Sequence, residues 1–219
     1  MVRKLRTIEI ERMSVEEFHR AEKMPLVVVL DDVRSLYNVG SVFRTCDAFR
    51  VESIYLCGIT ATPPSTEIHK TALGAEDSVD WKYFSSAEDA VAELKAEGYT
   101  VYAVEQAEGS IMLSGEWRVE RGEKSPSNSP LGGRVQPSSS LAPPLPSEGL
   151  GEAGGPLWDP GAVAVVMGNE VKGVHQSVID LCDGCLEIPQ YGTKHSLNVS
   201  VAAGIVVWEY FSKFCHHLA

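Results

Sequence analysis

Ile188-Pro189-Gln190-Tyr191-Gly192-Thr193-Lys194-His195-Ser196-Leu197-Asn198-Val199-Ser200-Val201-Ala202 is the stretch that decides the fold. The apolar run over 185–188 predicts a strand, and Pro189 ends it because proline offers no N–H to a sheet ladder. A polar loop follows. Ser-Leu-Asn-Val-Ser then opens a long apolar helix. The layout puts backbone N–H groups and small polar side chains at a strand end and a helix start, where α/β folds build ligand sites.

Two other segments share this design. A β-rich run over 26–31 precedes Asn38-Val39-Gly40-Ser41-Val42-Phe43-Arg44. Another over 162–167, ending at Met167, precedes Gly168-Asn169-Glu170-Val171-Lys172-Gly173-Val174. On a helix, Asn38, Ser41 and Arg44 recur every three residues and share roughly one face. Together the three segments resemble the signature motifs of the SpoU/TrmH branch of the SPOUT RNA methyltransferases. The resemblance runs from about Leu26 to Phe214, with one interruption.

The resemblance implies an α/β fold: a mostly parallel sheet flanked by helices, with a deep C-terminal trefoil knot. It also implies transfer of a methyl group from S-adenosylmethionine to a ribose 2′-hydroxyl of tRNA or rRNA. Carried over by position, Met167, Gly168, Ile188 and Leu197 lie against the cofactor, mainly through backbone groups. The loop after a strand over 100–105, near Glu105 and Gln106, forms another wall. Arg44 takes the central catalytic role. Asn38 and Ser196 position the substrate or Arg44, while Asn198 and Glu170 hold the knot and the subunit contact. Gln190 stands where the family commonly has Met. Members work as homodimers through the knot helix, here the apolar stretch from Gly204 to Phe211 with Trp208 and Tyr210.

Around these motifs the chain alternates strands and helices. Ser14 and Glu17 form a capping box that starts a short helix ending before Pro25. A helix over 39–49, a strand over 53–57, a short helix near 68–73, a helix from Ser86 to Glu97 stopped by Gly98, and a strand over 100–105 follow. This order implies a mostly parallel sheet. The expected organisation is an N-terminal extension over 1–25 and a methyltransferase domain over 26–219.

Residues 122–156 interrupt that domain. Of these 35 residues, 21 are Gly, Pro or Ser. Without apolar periodicity such a segment cannot offset its ordering entropy, so a disordered insertion is expected.

Composition narrows the function. The 219 residues are 44% apolar, enough for a globular core, and no run reaches the length of a bilayer span. Five scattered cysteines fit a reducing compartment, and a cytoplasmic location is expected. The net charge of −11 runs against a simple nucleic-acid binder. However, Arg34, Arg44 and Arg50 gather around the first motif, and net charge does not describe one cleft. A non-catalytic RNA- or metabolite-binding module of the same fold is the alternative reading. The N-terminal segment is too short for a separate RNA-binding domain, which favours tRNA.

Other matches carry no chemistry. Gly149-Leu150-Gly151-Glu152-Ala153-Gly154 spells a dinucleotide loop but lies among prolines, without the required strand and helix. Gly168 to Gly173 has P-loop spacing, but Val174-His175 replaces Lys-Ser/Thr. Cys182 and Cys185 lack a second pair for zinc, so no metal is expected. Asn198-Val199-Ser200 is a glycosylation sequon that a cytoplasmic protein leaves unused.

Overall fold

The computed structural model describes residues 2–6, 9–10, 12–113, 161–194 and 196–215. The expected insertion at 122–156 lies outside the described residues. In chain order the elements are α1 (Val15–Arg20), β1 (Met24–Asp31), α2 (Leu36–Ala48), β2 (Val51–Cys57), α3 (Thr66–Ala72), α4 (Ala75–Ser78) and β3 (Asp80–Phe84). Then come α5 (Ala87–Ala96), β4 (Thr100–Val104), β5 (Ile111–Met112), β6 (Val163–Met167), α6 (Gln176–Ile179), β7 (Gly184–Glu187) and α7 (Val199–Cys215).

The seven strands form one sheet in the order β3-β2-β1-β6-β4-β7-β5, with every pairing parallel. The α/β parallel-sheet class expected from the sequence is observed. Two late strands sit among earlier ones. β6 lies between β1 and β4, and β7 lies between β4 and β5, which are consecutive in the chain. α7 then returns to pack on α2. These insertions are compatible with the trefoil knot that the resemblance implies.

The central strands are buried on both faces, so they read as continuous apolar runs rather than alternating ones. Leu26, Val28 and Leu30 of β1 meet Val42 and Phe43 of α2 and Val206 and Tyr210 of α7. Val27 and Val29 face the other way, onto Ala90, Val91 and Leu94 of α5. Burying one such Val or Leu contributes about 1.5–3 kcal/mol before entropy is counted. Phe18 of α1 joins the first cluster, so this part of the 1–25 extension packs on the sheet domain.

Local chemistry sets the helix ends. The capping box at Ser14 and Glu17 forms, with Ser14 N–H donating to Glu17 Oε2 at 2.8 Å. α2 begins three residues earlier than the sequence pattern suggests, because Ser35 caps it. Ser86 caps α5, and Gly98 follows it at φ +89°. β3 was not expected. Its sequence, Asp-Trp-Lys-Tyr-Phe, alternates polar and aromatic residues over only four positions, and it sits at the sheet edge with no side chain fully buried.

Gly40 explains one letter of the first motif. A Cβ there would run into the Ile68 carbonyl and the Thr71 hydroxyl of α3. Gly40 therefore sets how closely α2 and α3 approach, and through α2 where Asn38 and Arg44 stand. Gly40→Ala should lower stability by about 1–3 kcal/mol, the cost of overpacking against backbone. Urea denaturation of the two proteins checks this, and an unchanged midpoint would show that α3 yields freely.

Candidate active site

A cavity of about 300 Å³ opens at the carboxyl ends of β4, β6 and β7. This is the small end of the usual range for small-molecule sites. Its walls come from three loops. Val104 ends β4 and Glu105 and Gln106 follow it; Met167 ends β6 and the 168–173 turn follows it; Ile188, Gln190, Ser196 and Leu197 follow β7. Val199 and Ala202 of α7 close it. All five residues expected against the cofactor, Glu105, Met167, Gly168, Ile188 and Leu197, thus line one cavity.

The turn after β6 is built from glycine, asparagine and one buttressing carboxylate. A Cβ on Gly168 would collide with the backbone of Gly173 and Val174, so only glycine lets the chain fold back there. Gly173 adopts φ +69°, and the Glu105 carboxylate lies over it. Asn169 and Gly173 exchange backbone hydrogen bonds of 3.0 and 2.9 Å. Asn169 Oδ1 accepts from Val171 N–H at 2.9 Å, and its Nδ2 donates to the Asp32 carbonyl at 2.7 Å. Glu105 accepts from Val174 N–H at 3.1 Å and Gln106 N–H at 2.9 Å. Its carboxylate therefore holds the turn as well as facing the cavity. Asn169 and Val174 were not singled out in the sequence. The only hint there was an Asn directly after a strand-ending Gly.

Glu170 ties this turn to the first motif. Its carboxylate accepts from Arg34 N–H at 3.1 Å, Ser35 N–H at 3.0 Å and Asn38 Nδ2 at 3.1 Å. Asn38 Oδ1 in turn accepts from Asn198 Nδ2 at 3.1 Å. Asn198 Oδ1 then caps α7, accepting from Ser200 N–H at 2.9 Å and Ser200 Oγ at 2.6 Å. The sequon is thus a helix cap. The amide orientations are dictated by chemistry. A helix cap must accept, so Asn198 Nδ2 faces outward; Asn38 must meet it with oxygen and so turns its own NH₂ to a carboxylate, which can only accept. Burial alone would raise the Glu170 pKa, but the N–H groups of Arg34 and Ser35, Glu170's own N–H and the Asn38 amide together hold it below its ordinary value.

Arg44 is separate from this network. It is exposed on α2, does not line the cavity, and among the described residues makes no hydrogen bond or ion pair. Ser196 lines the cavity without a hydrogen bond among the described residues. Asp31, Asp32 and His175 come within 4.8 Å of one another at the end of β1. They carry internal contacts: His175 N–H donates to Asp31 at 3.4 Å and Ile59 N–H to Asp32 at 2.9 Å. Burial pushes the Asp31 carboxyl up, partly offset by the His175 N–H and ring. Cys182 and Cys185 are free thiols, and burial pushes Cys182 up to about 12, far from a reactive thiolate.

Glu170→Gln tests the relay. A carboxylate held below its unfolded pKa of about 4.3 stabilises the fold above that pH and stops doing so as pH falls through its lower folded value. The variant should lose roughly 1 kcal/mol at neutral pH, the scale of a hydrogen bond. The gap from wild type should close in acid. Urea midpoints at pH 7 and near pH 3 check both signs; a gap independent of pH would remove the charge from the explanation.

Comparison with known proteins agrees with this geometry. A tRNA (guanosine(18)-2′-O)-methyltransferase of Thermus thermophilus is 27% identical, over 92% of this chain and 81% of its own. A 23S rRNA (guanosine-2′-O-)-methyltransferase of Nitrosomonas europaea is 28% identical, over 85% of this chain but only 55% of its own. The solved structure of an AdoMet-bound rRNA methyltransferase from Sinorhizobium meliloti superposes with a TM-score of 0.63 at 24% identity, covering 90% of this chain and 58% of that one. That likeness establishes the shared fold. The family model described as the SpoU rRNA Methylase family matches residues 25–208, and the chain belongs to that family.

Proposed function

We propose that this chain transfers a methyl group from S-adenosylmethionine to a ribose 2′-hydroxyl of RNA, with tRNA favoured over rRNA, as a cytoplasmic homodimer. The observation that carries the reading is the convergence of the second and third motifs on one cavity, joined by the Glu170–Asn38–Asn198 relay to the helix of the first motif, whose Arg44 has no partner among the described residues. The domain responsible spans 26–219 after an extension over 1–25.

The cavity suits the cofactor. Apolar walls from Val104, Ile188, Leu197 and Ala202 accommodate an adenine ring, and the Glu105 and Glu170 carboxylates favour a cationic sulfonium. Backbone groups at Gly168, Ile188 and Leu197 are the recognition elements, and Met167 forms the floor at the strand end. S-adenosylmethionine supplies a methyl group already activated on sulfur.

The protein must orient the 2′-oxygen and support its developing negative charge. Arg44 takes that task. A guanidinium keeps its proton at any working pH, so it serves as a clamp on the 2′-oxygen and neighbouring phosphate rather than as a base. Its lack of a protein partner leaves the fork available. Asn38 and Ser196 position the substrate beside it. Glu170 and Asn198 hold Asn38 and the start of α7. The non-catalytic alternative has net acidity and Gln190 behind it; the unpaired Arg44 beside an intact relay weighs against it.

Further features support the homodimer, the tRNA substrate and the cytoplasmic location. α7 exposes Val201, Ile205 and Trp208 at 52%, 36% and 56%, spaced four and three residues apart on one face. A self-complementary apolar stripe of this kind suits a two-fold interface through the knot helix. The Thermus relative named for tRNA also matches more of this chain than the Nitrosomonas relative named for rRNA. No helix among the described residues is long and apolar enough to cross a membrane, and the buried free thiols Cys46 and Cys57 fit a reducing compartment.

Single-turnover methyl transfer to bulk tRNA and to rRNA transcripts tests the activity. Arg44→Ala should lose about 100- to 1,000-fold in rate, the scale of one preorganised donor, while binding S-adenosylmethionine as wild type does. Arg44→Lys should be nearly as poor, because it keeps charge but loses the planar fork. Full activity in Arg44→Ala would sink the mechanism. For the assembly, Trp208→Glu should convert a dimer to a monomer by light scattering; an unchanged mass would exclude α7 as the interface.

A further inference from the structure

We infer that Tyr37 is a stacking platform for an unpaired RNA base, and that the substrate is therefore a single-stranded or loop nucleotide rather than a paired one. This rests on the proposed RNA methyl transfer and names the substrate class for that site. Tyr37 is 50% exposed on the first turn of α2. Among the described residues its hydroxyl makes no hydrogen bond and its ring no aromatic contact.

The backbone beneath this free ring is held unusually firmly. Its carbonyl accepts from Ser41 Oγ at 2.8 Å and from Thr71 Oγ1 at 3.0 Å. On either side, Ser35 and Asn38 are anchored to Glu170, itself in the cavity wall. The ring thus stands on a fixed base, next in sequence to an Asn38 bonded to the cavity wall, and a bound base would order only two side-chain torsions. Of the two other exposed tyrosines, Tyr83 has its hydroxyl tied to the Gly58 carbonyl at 3.1 Å, and Tyr191 sits in the loop after β7.

Helix geometry supplies the partner for the rest of the nucleotide. Tyr37, Ser41 and Arg44 lie at i, i+4 and i+7, one stripe on the solvent face of α2. Seven residues advance about 10 Å along the axis, the scale of one nucleotide from phosphate to the far edge of its base. An aromatic face at one end and an unpaired guanidinium at the other match the two surfaces a splayed-out nucleotide presents. A base inside an A-form duplex has both faces covered by its neighbours and cannot use the platform.

Bulk tRNA, and a fluorescent 12-nucleotide RNA with and without its complementary strand, are the probes. Tyr37→Ala should weaken binding of tRNA and of the single strand by about 5- to 150-fold, the range for losing one base–aromatic stack. Tyr37→Phe, which keeps the ring, should stay within about twofold of wild type. The duplex should bind weakly and equally to all three proteins. Affinity for S-adenosylmethionine and molecular mass should not change. Equal RNA affinity in wild type and Tyr37→Ala would overturn the inference, as would a loss in Tyr37→Phe as large as in Tyr37→Ala. A change of mass in Tyr37→Ala would assign the residue to subunit contact instead, and also overturn it. If wild type neither bound nor methylated any RNA, the functional reading itself would have failed. An active wild type matched by Tyr37→Ala would fail this inference alone.

Discussion

The structure turns on one chain of directional hydrogen bonds, from Asn198 through Asn38 to Glu170. It joins a helix face to a loop carboxylate and a helix cap that each lie more than a hundred residues further along the chain. Each amide can satisfy both neighbours in only one orientation, because the chain ends in a helix cap that must accept and a carboxylate that cannot donate. The relay therefore fixes where α2 stands relative to Glu170 in the cavity wall and to the start of α7. Packing alone would leave the same apolar surfaces free to slide by fractions of an ångström.

Glycine and carboxylate chemistry complete the frame. Gly168 and Gly173 let the turn after β6 fold back on itself, and Glu105 spends its oxygens holding that fold. Gly40 brings α3 against α2. The motif glycines are thus explained by close approach of backbone, and the polar motif residues by the hydrogen bonds such approach permits. Arg44 is the exception. Among the described residues it has no hydrogen-bond or ion-pair partner.

Much of this was legible in the residues. The buried runs of β1, β2, β4, β6 and β7 announce a two-sided parallel sheet, and the three motifs locate the cavity at their ends. Other features left no local trace. β3 is an edge strand whose alternation runs for only four residues, Asp80 to Tyr83, and β5 is two residues long, so neither stands out from a turn. Asn169 reads as an ordinary turn residue until its contacts to Asp32 and Val171 are seen. Whether Arg44 is paired, and whether Tyr37 is covered, depend on which elements pack beside α2, and no spacing rule carries that information.

The place of β6 in the sheet has a consequence for synthesis on the ribosome. β1 and β4 each use β6 as a neighbour, yet β6 is made only after residue 162. Until then the nascent chain holds β1–β2–β3 as one partial sheet and β4 apart from it, with open edges that other polypeptides could pair with. The cap at Asn198 comes later still, so the first motif has its full set of hydrogen bonds only 160 residues after Asn38 has been made. A truncated translation product ending before α7 would carry the first motif and its bonds to Glu170, but neither the Asn198 end of the relay nor the α7 wall of the cavity.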